Sequence, residues 1–395
     1  MNMVRTSHLL FLASLFPSTL RAADHHVALG STLSTIDEAM AVALDGDRIF
    51  VHPGTYPSFG FSRSVDVLAL SADSAFTIAG DVVVYMATNR KVFLSGARVL
   101  GAFRRSDASF TLAQVEASAM GCTFNTVDMS DGYYTLTLQN CAVRGYLTFA
   151  RGTVTGCRIK GEPEYMMAGA SVVSLTSGGP AGTFSTRRYL LGNEIGESLS
   201  ASYVPNVVTL ETDAPFTFSN NFVHGSPSPS AKPAVKTKKP KEVYLQVTLQ
   251  DCFITSYSVR VPSGGQVTWL EDSVSMFQPT FRCMLQNNHI VGASPFTGSA
   301  TCFPQTYNVV SNALSDMDPI TGLPAPGSSA INAGDPSVAY LDLDLSRNDA
   351  GCWGGSWSMA NFQPTGTGPR ITVVHVPRTA VSGSSITMAA NAALR

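Results

Sequence analysis

"LQNCAVRG", Leu138–Gly145, is echoed by "LQDCFITS", Leu249–Ser256, and by "LQNNHIVG", Leu285–Gly292. The fourth place holds cysteine twice and asparagine once. The same place can be followed along the chain through Cys122, Cys141, Cys157, Asn193, Asn221, Cys252, Ser273, Asn288 and Asn312. Each of these residues follows a glycine, asparagine, aspartate or serine, and most are followed two places on by an apolar residue. The intervals run from 15 residues (Ser273 to Asn288) to 36 (Cys157 to Asn193).

A regular motif at irregular spacing means that one turn recurs while loops of different length interrupt it. Stacked parallel strands do this, each circuit adding a strand ~4.8 Å from the last. A turn residue that stacks on itself must be small. It must also either bond to its neighbours, as asparagine amides do in ladders, or do without bonds, as a buried thiol does. This reading makes Cys122, Cys141, Cys157 and Cys252 free ladder residues. The competing reading is disulfides between neighbouring coils. Cys283, Cys302 and Cys352 lie outside the pattern, so one pair of them is available to bridge.

"STIDEAMAVALDGDRIFVHPGTY" (Ser34–Tyr56) supplies a start. Thr35 and Glu38 have capping-box spacing. Ile36, Ala39, Met40 and Ala43 then form one apolar helical face, and Asp45-Gly46 ends it. A short amphipathic helix covers the open edge of a first coil. Helix, Gly-Asp, strand and Pro-Gly-Thr-Tyr together resemble the entry to the pectin lyase-like right-handed parallel β-helix proteins. "SSAINAGDPSVAYLDLDLSRNDAGCWGG" (Ser328–Gly355) looks like the closing segment of exported bacterial β-helix-repeat proteins. The resemblance spans roughly Ser34–Gly355. It implies an all-β, right-handed parallel β-helix with a short N-terminal capping helix, in a polysaccharide-related or surface setting. It implies no activity, because one fold hosts many.

The division expected is a signal peptide over 1–23, the cap helix and first strand over 24–60, and coils over 61–325. A closing segment follows over 326–357, then a linker and two-strand tail over 358–395. The signal peptide rests on Arg5, the short apolar run Leu9–Phe16, Pro17 and the small pair Ala22-Ala23. It places the protein outside the cytoplasm: secreted, periplasmic or on the cell surface. No second apolar stretch is long enough to span a bilayer. A net charge of -2 with 14% charged residues offers no field for nucleic acid. Within the coils, residues 225–242 hold five lysines, four prolines and no aromatic residue. They read as an inserted basic loop, a solvated excursion or a finger for acidic glycans.

Chemistry is sparse. Polygalacturonase-type hydrolases of this fold use adjacent aspartates, Gly-His-Gly and Arg-x-Lys. Only Arg158-Ile159-Lys160 matches, and His224-Gly225 lacks the leading glycine. Glycoside hydrolysis needs two carboxylates. Asp128/Asp131, Glu162/Glu164 and Glu271/Asp272 are the nearest approach to pairs, each at a turn where acidic residues serve the turn. His289, like His224, sits in a repeat turn and reads as structural. "DLDLSRND" alternates Asp342, Asp344 and Ser346 like the opening of a calcium loop, without its glycine and distal glutamate. The alternative there is a turn whose carboxylates cap backbone N–H groups and pair with Arg347. No cofactor is expected, with calcium the one ion these residues offer to hold. The outward residues of "YYTLTLQN" (Tyr133–Asn140) and "VYLQVTLQ" (Val243–Gln250) are threonine and glutamine, which bond sugar hydroxyls but move protons poorly near neutral pH. The functional expectation is a non-catalytic surface or polysaccharide-binding protein. The alternative is a polysaccharide lyase or glycoside hydrolase of the same fold. The oligomeric state is not readable.

Overall fold

The computed structural model describes residues 22–71, 75–107, 114–167, 171–176, 188–196, 208–210, 216–224, 235–237, 258–260, 266–268, 283–291, 296–297, 305–311, 323–342, 344–355, 358–361, 370–375 and 389–393. These are mostly strands, and nearly all the strands pair in parallel. Residues 1–21, which carry most of the expected signal peptide, lie outside the described residues.

One sheet has eleven strands, each hydrogen-bonded to the one contributed by the next traverse of the chain. Its inward column is Ile49, Val67, Leu94, Ala119, Leu138, Val154, Leu190 and Phe218, in direct register. All eight are buried. A second parallel system faces it, and its longer strands, Ala97–Arg105 and Thr123–Met129, each serve two ladders. Thr123–Phe124 pair with Ala142–Val143, while Val127–Met129 pair with Leu147–Phe149. The corner lies at Gly145, where a Cβ would stand 2.4 Å from the Tyr165 carbonyl oxygen and 2.9 Å from that of Asn125. Only glycine fits there. Val99, Phe124, Val143, Ile159, Ile195 and Val223 fill the interior from this side. Strict alternation puts these apolar residues on one face of each strand.

The turn from the first sheet to the second repeats. A residue with positive φ comes first: Gly96, Gly121, Asn140, Gly156, Gly192, Asn220, Asn287 and Tyr307. Glycine and asparagine tolerate this conformation best. The ladder residue follows. Asn193 donates through its backbone N–H and its Nδ2 to Asn221 Oδ1, both at 3.0 Å. Asn221 does the same to Asn288 (2.9 and 3.2 Å), and Asn288 to Asn308 (3.0 and 2.9 Å). Each Nδ2 also donates at 2.9 Å to a first-sheet carbonyl, that of Val154, Leu190 and Phe218 in turn. Cysteine reproduces part of this pattern. Cys122 Sγ donates to Leu94 O and Cys141 Sγ to Ala119 O, while the Cys141 N–H donates to Cys157 Sγ at 3.4 Å. A thiol thus substitutes for an amide because it is small and keeps one donor and one acceptor.

Asn221 hands directly to Asn288, and Phe216–Ser219 pair directly with Cys283–Gln286. Cys252 and Ser273 lie outside the described residues. The rung after Asn288 is Asn308 rather than Asn312. Part of the expected basic loop 225–242 is a strand of the second parallel system: Val235–Thr237 pairs with Val208–Leu210 and, through Val235 and Lys236, with Phe296 and Thr297. The hairpin Ser258–Arg260 with Gln266–Thr268 lies further along the chain.

Cys122, Cys141, Cys157 and Cys352 are free and buried. Cys352 therefore bridges to neither Cys283 nor Cys302. Burial raises the thiols of Cys122, Cys157 and Cys352 above their ordinary range, which suppresses thiolate chemistry. Native protein is expected to react slowly with a thiol reagent, and protein unfolded without reductant is expected to titrate at least four thiols. Three disulfides in a mass map would overturn the ladder assignment.

The helix Ile36–Val42 carries the Thr35/Glu38 capping box, and buries Ile36, Ala39 and Met40. Strands already begin before the expected 60/61 boundary, at Asp24–Val27, Arg48–Val51 and Thr55–Tyr56. The segment from Ser328 docks along the flank of the late turns. Asp335 N–H donates to Asn287 Oδ1, Gly351 N–H to Asn287 O, and Asn220 Nδ2 to Asn348 Oδ1. Cys352 and Met359 close with Phe222 into a small apolar cluster, so this docking passes beyond 357. In the tail, Arg370–His375 pairs antiparallel with Ala389–Ala393.

Candidate functional site

The outer face of the eleven-stranded sheet carries polar residues in register. One outward column runs Ser118, Thr137, Thr153, Tyr189 and Thr217. The next runs Met120, Gln139, Thr155, Leu191, Ser219 and Gln286, the last four of them buried. Thr137 and Gln139 are exposed, and Ser118, Thr153, Tyr189 and Thr217 half-buried. Alternation that turns Leu136 and Leu138 inward turns Thr135, Thr137 and Gln139 outward. Neighbouring hydroxyls therefore repeat at the strand spacing, ~4.8 Å.

Charge collects at one end of this face, already neutralised. Arg48 forks onto Asp24 through Nε and Nη2 at 2.7 and 2.8 Å, and its guanidinium lies over the Phe50 ring, which His26 stacks against. Lys91 Nζ meets Glu116 Oε1 at 2.9 Å. Asp24 and Glu116 are thus held by cations, and Asp66 flanks Arg48 on the side opposite Asp24 in the same register column.

The residues singled out from sequence are scattered and occupied. Asp128 Oδ1 accepts the Ser130 N–H and Asp131 Oδ1 the Tyr133 N–H, each two residues on, as turn carboxylates do. Glu162 and Glu164 both reach Arg144 Nη2, at 2.6 and 3.4 Å, and the Tyr165 ring lies 4.3 Å from that guanidinium. Glu271 and Asp272 lie outside the described residues. Asp342 accepts the N–H groups of Asp349 and Gly355, and Asp344 accepts the N–H and the hydroxyl of Ser346. The loop carboxylates are thus spent on backbone donors, and Arg347 turns its Nε to the Gly334 carbonyl instead. Among the described residues no cluster of three or more His, Cys, Asp or Glu side chains could hold a metal ion. No described helix is long and apolar enough to cross a membrane.

Sequence reading missed one pair. Arg158 Nε lies 2.9 Å from Glu194 Oε2, and the Glu194 side chain is only 5% exposed. Burial raises the Glu194 carboxyl, against the pull of Arg158 and Lys160. Both residues stand one place after a ladder residue, so aligning the ladder shows them as neighbours. The same column continues to Phe222 and His289 under the docked Gly351-Cys352. Its later members, Phe222 and His289, are buried, while Arg158 is half-buried. No protein family, no curated protein and no solved structure matches the chain.

Proposed function

We propose that this chain is an exported right-handed parallel β-helix of the pectin lyase-like kind that binds polysaccharide without cleaving it. The observation that carries the reading is the outward row Ser118, Thr137, Thr153, Tyr189 and Thr217 on consecutive strands, with Gln139 exposed beside it. Rows of hydroxyls and amides at constant height can bond the hydroxyls of a long glycan laid across the strands. They supply neither the paired carboxylates of a hydrolase nor a base matched to neutral pH. A structural or adhesive role uses the same surface.

Purified protein is expected to be retained on immobilised polysaccharide, with no gain in reducing ends and no ultraviolet absorbance from unsaturated uronates, calcium being present. The double variant Thr137→Val/Thr153→Val is expected to keep its fold and lose binding about thirtyfold, since each of the two lost hydrogen bonds is worth about 1 kcal/mol. Product formation would establish instead the lyase or hydrolase alternative. Equal retention of the double variant would remove this face from the binding site.

A further inference from the structure

We propose that the mature chain begins at Ala23, the cut falling one residue before the end of the 1–23 segment expected from sequence, and that Asp47 is a built seat for the resulting α-ammonium. The existence of the cut rests on the export reading; the seat rests on geometry. Asp47 is 5% exposed. Its Oδ1 accepts the Ala23 N–H at 2.8 Å, and its Oδ2 accepts the Leu44 N–H at 2.8 Å and lies 3.0 Å from His25 Nε2. A buried carboxylate demands a cation. Arg48, the adjacent one, is turned onto Asp24. His25 is an imidazole rather than a fixed cation.

An ammonium at Ala23 meets that demand without moving an atom of the seat. Hydrolysis of the Ala22–Ala23 amide adds one water: its oxygen goes to the Ala22 carboxylate and its protons to the Ala23 nitrogen. No electron changes hands, and the catalyst is a peptidase of the export machinery. Ala22 and Ala23 are both exposed. The Arg48 N–H donates to the Ala23 carbonyl at 2.9 Å, and Asp24–Val27 pairs with Arg48–Val51, so the new terminus is held in register beside Asp47. The Ala23 N–H bond then becomes a charged one, shorter and stronger than a neutral pair.

The test begins with the N-terminal sequence of exported protein, expected to start at Ala23. The α-amine of this protein should then be acylated near neutral pH at least about tenfold more slowly than in an Asp47→Asn variant, the tenfold being one unit of amine pKa. A chain carrying Gly-Ser ahead of Ala23 keeps Asp47 but loses the ammonium, and its thermal midpoint should fall by about 2–4 °C. The same extension in the Asp47→Asn background should leave the midpoint unchanged. An uncut chain overturns this proposal together with the export reading, and a chain cut elsewhere overturns the proposal alone. A cut at Ala23 with equal acylation rates, or an extension without effect, overturns the seat alone.

Discussion

Asn221→Leu is expected to lower the unfolding free energy by about 3–5 kcal/mol, the sum of two orphaned buried groups at ~1–3 kcal/mol each. The amide of Asn221 faces both ways. Its Oδ1 takes the Asn193 backbone N–H and Nδ2, and its Nδ2 covers the Leu190 carbonyl. Leucine matches the volume but leaves the Asn193 N–H and the Leu190 C=O without partners in a site closed to water, Asn221 being fully buried. Urea unfolding followed by circular dichroism checks this: the midpoint should fall at constant slope. A midpoint within error of the parent would show that the amides fill space and no more.

Arg158→Met is expected to cost about 3–5 kcal/mol near neutral pH, because it strands a buried carboxylate. Its pH dependence identifies the cause. Glu194 is held above the ordinary carboxylate value in the folded protein, burial being the largest influence and Arg158 opposing it. The folded state therefore takes up this proton before the unfolded chain does. The penalty of the charged form is absent below the unfolded carboxylate value, and grows as pH rises through the folded one. Loss of Arg158 moves the folded value further up. The deficit of the variant relative to the parent should thus be greatest near neutrality and shrink on acidification. Thermal midpoints of both proteins across a pH series measure it, and a pH-independent deficit would falsify the account. Adding Glu194→Gln to the variant should restore part of the loss.

How much of this was legible in the sequence follows from the range over which each feature is determined. The capping box of Thr35 and Glu38 is local, and it is present. The outward threonines of Tyr133–Asn140 follow from a period of two. Cys122, Cys141, Cys157, Asn193, Asn221 and Asn288 were identified by their neighbours, since a left-handed turn residue and a small inward residue are a purely local demand. Asn308 escaped because Tyr307 takes the left-handed place, where a tyrosine gives no turn signal. Cys252 and Ser273 match the letters but lie outside the described residues. A local motif does not say which strand lies beside which, as in the direct pairing of Phe216–Ser219 with Cys283–Gln286. The docking of Asn348 on Asn220 joins positions too distant in sequence for pattern alone. The Arg158–Glu194 pair lay between these cases: local in register, distant in sequence.

The amide ladder also has a direction. Asn193 gives its N–H and one Nδ2 hydrogen to Asn221, Asn221 to Asn288, and Asn288 to Asn308. Every rung is left with open donors until the traverse after it arrives. Stability in this stretch is therefore a nearest-neighbour quantity that propagates from one repeat to the next. A chain ending at Asn288 would present a backbone donor and an amide hydrogen to a missing acceptor, whereas one ending at Cys141 would present a single backbone N–H to a missing thiol. The thiol part of the ladder is the gentler place to stop, and the asparagine part commits the chain to continue.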